Sequence, residues 1–126
     1  MAATFKLSGS YVAEPADGIP SGTLFCSAAL EEVVGLATML SGEYNLTGDS
    51  PVPVSLGTLD SAAVVVLKAI GAKVSATLTS ADGTAQVIPV DGLAVLISES
   101  VPFTALTLTR ATGFAARVEV FLGQRA

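Results

Sequence analysis

Apolar and polar residues alternate through residues 73–123. Alternation with a period of two is typical of β-strands that bury one face, and two such segments surround each of two glycines, Gly83 and Gly113. The two regions share a weak internal similarity: residues 78–90 and 108–120 have leucine, threonine, alanine, glycine and valine at matching positions. The pattern therefore predicts two successive β-hairpins.

The apolar positions of the first region also predict a register. A turn that pivots on Gly83 places Leu78 opposite Ile88. It also places Ala76 opposite Val90, so that the apolar residues of both strands share one face. A two-residue Asp-Gly turn would set apolar residues against polar ones, because a slip of one residue inverts every side chain. We therefore expect a loop of odd length with glycine near its centre.

The second region predicts a matching hairpin. A pivot on Gly113 pairs Leu108 with Val118, and Leu106 with Val120. These four side chains and their counterparts Leu78 and Val90 are expected to be buried. Several apolar residues then fall on the outer side or in exposed segments, and such residues require cover by another protein surface. The candidate interface residues are Phe103, Ala105, Phe121, Phe114, Phe5 and Tyr11.

The N-terminal part of the chain is less regular. Residues 1–22 contain a short alternating piece and then repeated glycine and proline, which predicts an arm, or an edge strand with a loop. Residues 23–126 are predicted to form the main domain. Within it, residues 28–40 fit a short helix, but β-branched residues and Gly35 favour strands near residues 23–28 and 31–37. Both alternatives stay open.

The remaining segments complete an all-β pattern. Residues 43–47 are a predicted strand, and Pro53 places the extended piece at residues 52–56 on a sheet edge. The apolar run at residues 62–70 predicts a central strand covered on both faces, and residues 93–97 resemble it. About eight strands with frequent turns predict a single-domain β-sandwich or jelly roll.

Composition bears mainly on the surface. The 126 residues fit one domain, with 51% hydrophobic and only 13% charged residues. A surface so poor in charge is typical of one covered by other subunits, which predicts a homo-oligomer, either a trimer or a dimer. The apolar runs are too short for a membrane-spanning helix, and no secretory signal is expected.

The residue inventory argues against several functions. Six scattered basic residues and a net charge of −5 argue against nucleic acid. One cysteine and no histidine exclude an internal disulfide, a multi-cysteine metal site and every histidine-based catalytic pair. The aspartates stand singly beside turn residues, where they are expected to bond to their own backbone. We therefore predict no catalytic, cofactor-binding or metal-binding residues.

The last seventy or so residues resemble a family of viral proteins. The resemblance lies in the runs SLGTLDSAAVVVLKAIGAKV from Ser55, LTSADG from Leu78, IPVD from Ile88, VPFTALTLTR from Val101 and the terminal VFLG. In length and threonine-rich β pattern the chain resembles small β-sandwich virion proteins of tailed bacteriophages. The resemblance implies a capsid decoration or cement protein in the virion, bound to capsid or tail proteins. A tail or baseplate component and a lectin-like glycan-binding module are the alternatives.

Overall fold

The computed structural model describes residues 3–13 and 26–126, with side chains for residues 4–7 and 33–126. Nine β-strands account for the regular structure of these residues, one more than the eight or so predicted. They are β1 (Ala3–Ala13), β2 (Cys26–Leu46), β3 (Val52–Pro53), β4 (Val64–Ile70), β5 (Val74–Ser80), β6 (Ala85–Val90), β7 (Leu93–Ile97), β8 (Phe103–Arg110) and β9 (Ala116–Arg125).

The strands form two antiparallel sheets. One sheet has five strands in the order β1-β2-β9-β4-β7, and the other has four in the order β3-β8-β5-β6. A single large core contains buried side chains from both sheets, so the predicted β-sandwich is confirmed. Leu78 and Leu108 of the four-stranded sheet and Val118 and Val120 of the other are all buried there.

The first hairpin has the predicted faces with a different register. Leu78 lies opposite Gln86 and Ala76 lies opposite Ile88, two residues away from the predicted pairing. A shift of two keeps every side chain on its predicted face, and Val90 is buried as expected. The loop is odd in length, with three residues between Ser80 and Thr84, and its last residue, Gly83, has φ 90°. Glycine adopts this left-handed conformation without the strain that a Cβ would cause.

The prediction of a second hairpin around Gly113 is wrong, because β8 and β9 do not pair with each other. β8 pairs with β3 and β5, whereas β9 pairs with β2 and β4, so the turn near Gly113 carries the chain from one sheet to the other. Leu108 and Val118 therefore contribute to the core from opposite sheets. The alternating pattern correctly predicted which faces are buried, but burial is the same whether two segments pair within a sheet or pack across a core.

Phe103 was predicted to face outward, and this is also wrong. The pairing of β5 with β8 is irregular between Thr79 and Ser80, so that Thr104 is the extra residue of β8. Such a bulge inverts the alternation beyond it, and the Phe103 side chain turns into the core with 8% of its surface exposed. Its backbone exchanges two 2.8 Å hydrogen bonds with Ala62, a bridge outside the named strands.

The region that was open between helix and strand is a strand. β2 runs for 21 residues without a break, so the separate strands predicted at residues 31–37 and 43–47 are one element. β4 is central, between β9 and β7, as predicted. β7 differs from the prediction, because it lies at the edge of its sheet and Leu93 is 67% exposed.

β2 bends sharply where its pairing is irregular. Residues 26–36 pair with β1. Leu36 and residues 38–46 pair with β9, and Ala37 is skipped in that second ladder. Phe5 is paired with Val34 and Phe121 with Ser41, and these two partners lie seven residues apart on β2. A straight strand would separate them by about 23 Å. The Phe5 and Phe121 rings nevertheless stack at 5.8 Å, so the ribbon formed by β1 and residues 26–36 folds back over the sheet.

Candidate interaction surface

The five-stranded sheet has an outer face, turned away from the four-stranded sheet, that carries its own apolar cluster. Val34, Leu36 and Val64 are at most 2% exposed, although they do not belong to the main core. Leu36 fills the space above Gly123, where an added Cβ would approach its side chain to 2.8 Å. The folded ribbon accounts for this burial, because it brings Phe5 onto Phe121 and encloses the cluster between them.

The ribbon leaves the rest of the outer face open. A depression of about 530 Å³ lies there, with Val66, Phe121 and Leu93 among its lining residues. Leu93 projects from the edge strand and Val66 from the adjacent β4. The outer face thus has a half that the ribbon covers and an apolar half that no other described residue covers.

Charged residues border the open half. Glu43, Lys68 and Glu119 line the depression. The Nε atom of Arg117 lies 3.8 Å from Glu43, and one of its terminal nitrogens lies 4.0 Å from Glu119. These side chains are about half exposed, so the ion pairs contribute little to folding stability. An apolar floor with a mixed-charge border is typical of a protein contact surface.

A second exposed apolar feature is the turn after β8. Phe114 is 65% exposed, and its backbone N–H donates to the Ala111 carbonyl at 2.9 Å. Asp49 holds this turn, since one carboxylate oxygen accepts from the Gly113 N–H at 3.1 Å and from Arg110 Nε at 2.9 Å. The Gly113 N–H and the neighbouring guanidinium keep the pKa of Asp49 below its ordinary value. The aromatic ring is therefore presented by a turn of defined geometry.

The candidate interface residues do not form one patch. Phe5 and Phe121 stack on each other and are half-buried, while Ala105 and Phe114 are exposed. Phe103 is buried in the core, and Tyr11 lies on β1 opposite Ala28 with its side chain outside the described residues.

Sequence reasoning missed Leu93 and Asp49. The apolar run at residues 93–97 was taken for a strand covered on both faces, which hid the exposure of Leu93. Asp49 was expected to cap its own turn, but it bonds to residues more than sixty positions away. No sequence signal identifies either role, because both depend on which strands and loops become neighbours.

The described part of the chain contains no cluster of metal-binding side chains. Among these residues no three or more histidine, cysteine, aspartate or glutamate side chains cluster in a way that would hold a metal ion. Residues 3–13 and 26–126 also include no helix of the length and apolarity needed to cross a membrane. Comparison of the chain with protein families, curated proteins and solved structures finds no match.

Proposed function

We propose that the protein is a non-enzymatic structural component of a tailed-bacteriophage virion, a capsid decoration or cement protein that acts as a homo-oligomer through protein contacts. The proposal takes its viral setting from the resemblance of residues 55–123 to small virion proteins. Its physical support comes from the surface of the sandwich.

The observation that carries the proposal is the open apolar half of the outer face. Leu93 is 67% exposed beside the depression, and Phe114 is 65% exposed on a turn held by Asp49. Exposed aromatic and aliphatic side chains on rigid supports are typical anchors of protein interfaces. Only 13% of the residues are charged, so few strongly hydrated side chains are present to keep these apolar residues from associating with other proteins.

The proposed contribution to the virion is mechanical. The two sheets enclose a large shared core, and contacts on two sides of this sandwich would join neighbouring subunits of a shell. The outer face provides one such side and the Phe114 turn another. No substrate or cofactor enters this account.

The first test is whether the protein is present in purified virions, and where. Quantitative mass spectrometry would give its copy number, and electron cryomicroscopy would place it on the capsid or on the tail. We expect a copy number matched to the capsid lattice. Absence from virions overturns the proposal, and a copy number matched to the tail replaces decoration with a tail role.

The second test concerns the Phe114 anchor. We expect Phe114→Ser to lower the number of copies bound per particle severalfold, because the ring is lost at the contact. The matched control is Val87→Ser on β6, at the edge of the four-stranded sheet. It removes an apolar side chain of similar exposure, 66%. Equal occupancy of the two variants would show that Phe114 is not an attachment residue.

A further inference from the structure

Among the described residues, no strand pairs with the outer edge of β7, where it has unpaired backbone hydrogen-bonding groups. Ala69 donates to the Gly92 carbonyl at 2.7 Å and Ser98 donates to the Ala63 carbonyl at 2.7 Å. These two bonds fix the ladder, in which β7 bonds to β4 through its even-numbered residues. The N–H and C=O groups of Leu93, Val95 and Ile97 therefore point away from β4, toward the open edge. Within the described residues, no backbone group of another element bonds to them.

Both edges of the four-stranded sheet are protected against pairing. The bond from Ser80 N–H to the Thr84 carbonyl fixes the β5–β6 ladder and turns Pro89 toward the free edge of β6. The bond from the Val54 N–H to the Leu106 carbonyl fixes the β3–β8 ladder in the same way, and turns Pro53 toward the free edge of β3. Proline has no N–H to offer at these outward positions, a common device against edge-to-edge pairing.

β7 has no such protection. Its sequence, Leu93–Ile97, contains neither proline nor a charged residue. An apolar edge of this kind is a template on which another strand can add. The outward backbone groups belong to Leu93, Val95 and Ile97, which are spaced evenly about Val95. An antiparallel second copy of β7 therefore presents matching donors and acceptors to each of them.

We infer that β7 pairs antiparallel with β7 of a second copy, so that two five-stranded sheets join into one continuous sheet across a twofold axis at Val95. In this register Leu93 pairs with Ile97 of the partner subunit, and all the outward groups of both strands are satisfied. The side chains of Leu93, Val95 and Ile97 lie on the outer face, next to the depression. Pairing would cover the exposed Leu93 and extend the apolar outer face across both subunits.

A second copy is favoured over a different protein because a twofold operation reproduces the whole edge without any further partner. Asp91 and Glu99 lie in the bends just beyond the two ends of β7, and this register brings each of them near the other residue of the partner subunit. Like charges that come close oppose pairing, so the dimer should tighten as salt screens them. This inference supplies the interface for the self-association assumed in the proposed function.

The first experiment uses Val95→Pro in the full-length protein. Of the backbone hydrogen-bonding groups, the substitution removes only the outward N–H of residue 95, and none of the β4–β7 bonds uses that group. Sedimentation should show a dimer for the unmodified protein and at least a tenfold weaker association for Val95→Pro. The matched control is Val87→Pro, which makes the same change at an outward position of β6 and should leave the dimer intact. A monomeric unmodified protein, or equal effects of the two prolines, overturns the inference.

The second experiment tests the register. Asp91→Lys would replace two repulsive pairs per dimer with two attractive ones, and should strengthen association by about twofold to thirtyfold. Glu99→Lys should act in the same direction. The double variant Asp91→Lys with Glu99→Lys restores like charges and should return association close to that of the unmodified protein. If the two single effects simply add in the double variant, these residues do not come close to each other across the interface and the register is wrong.

Amide hydrogen exchange gives a readout without any substitution. In a monomer the amides of Leu93, Val95 and Ile97 should exchange rapidly while those of Ala94 and Leu96 are protected. In the dimer all five should be protected, and the added protection should depend on protein concentration. Rapid exchange of the three outward amides at every concentration overturns edge pairing. If the protein is nevertheless found on virions, the proposed function stands and only the dimer interface fails.

Discussion

Asp49 and Asp82 look alike in the sequence, each next to a glycine, yet their carboxylates serve different parts of the molecule. Asp82 accepts from the Thr84 N–H at 3.0 Å, two residues away, as an aspartate in a turn is expected to do. Asp49 instead joins the loop before β3 to the turn after β8. In both cases hydrogen bonds from backbone N–H groups lower the pKa of the carboxyl. An aspartate beside a glycine thus makes a local bond in one place and a long-range bond in the other.

The lowered pKa of Asp49 makes a contribution to stability that acid removes. A carboxyl with a lower pKa in the folded state stabilises the fold above its unfolded pKa, and this contribution is lost as the pH falls through the folded pKa. We expect Asp49→Asn to lower the melting temperature at neutral pH and to flatten its decline below about pH 4. Thermal melts across this range provide the measurement. The control is Asp60→Asn at another exposed position, and an equal effect there would contradict the assignment.

The buried leucines of the core provide a second test at the scale of the residue. Leu78 is fully buried, so Leu78→Ala should lower the free energy of unfolding by about 2–5 kcal/mol through lost burial and a residual cavity. Leu93→Ala makes the same change at a position that is 67% exposed and should alter the free energy by less than about 1 kcal/mol in dilute protein. Urea denaturation of both variants would measure the difference. Similar losses would mean that Leu78 is not a core residue.

At the scale of the elements, the bend in β2 decides how the N-terminal ribbon meets the sheet. Ala37 interrupts the pairing, and beyond it the alternation is inverted, so that Leu36 lies on the outer face above Gly123. The absence of a side chain at Gly123 makes room for Leu36. The outer cluster therefore depends on a pairing irregularity and on one glycine, and neither is recognisable from the alternation of the flanking residues.

The contact between Leu36 and Gly123 can be tested by overpacking. A Cβ at residue 123 would lie 2.8 Å from a Leu36 methyl carbon, and Leu36 is 1% exposed with little room to move. Gly123→Ala should therefore destabilise the protein by about 1–3 kcal/mol. In a Leu36→Ala background the same change should cost less, because the obstructing methyl groups are absent. A double-mutant cycle by urea denaturation measures this coupling, and strict additivity would show that the two positions do not touch.

At the scale of the whole molecule, the main core and the ribbon are separate packing units. The buried residues of the main core all lie between Leu46 and Leu122, whereas the second cluster, on the outer face, combines Val34 and Leu36 of the ribbon with Val64 of β4. The sandwich is therefore expected to fold without β1. The ribbon adds stability to a structure whose core is already complete.

Deleting residues 2–13 tests this separation. We expect the β-sheet circular dichroism to persist, while lost cover over Val34 and Val64 lowers stability and increases binding of a hydrophobic dye. Phe5→Ala should lower the free energy of unfolding by about 1–2 kcal/mol, part of the effect of the deletion, because it removes the ring that stacks on Phe121. Lys6→Ala, an exposed neighbour in the same strand, is the control. A deletion variant that unfolds would show that the ribbon belongs to the core.

The sequence by itself determined the class of the fold and most of the buried faces. Alternation marked Leu78, Val90 and Leu108 for burial, and Gly83 marked a turn, because a strand has a period of two and a left-handed turn favours glycine. Apart from the β5–β6 hairpin, tertiary structure alone decided which strands pair. It placed β8 and β9 in different sheets, turned Phe103 inward through a bulge and left β7 at an edge. The physical reason is that alternation specifies only the face that avoids water, whereas pairing partners depend on contacts between distant segments of the chain.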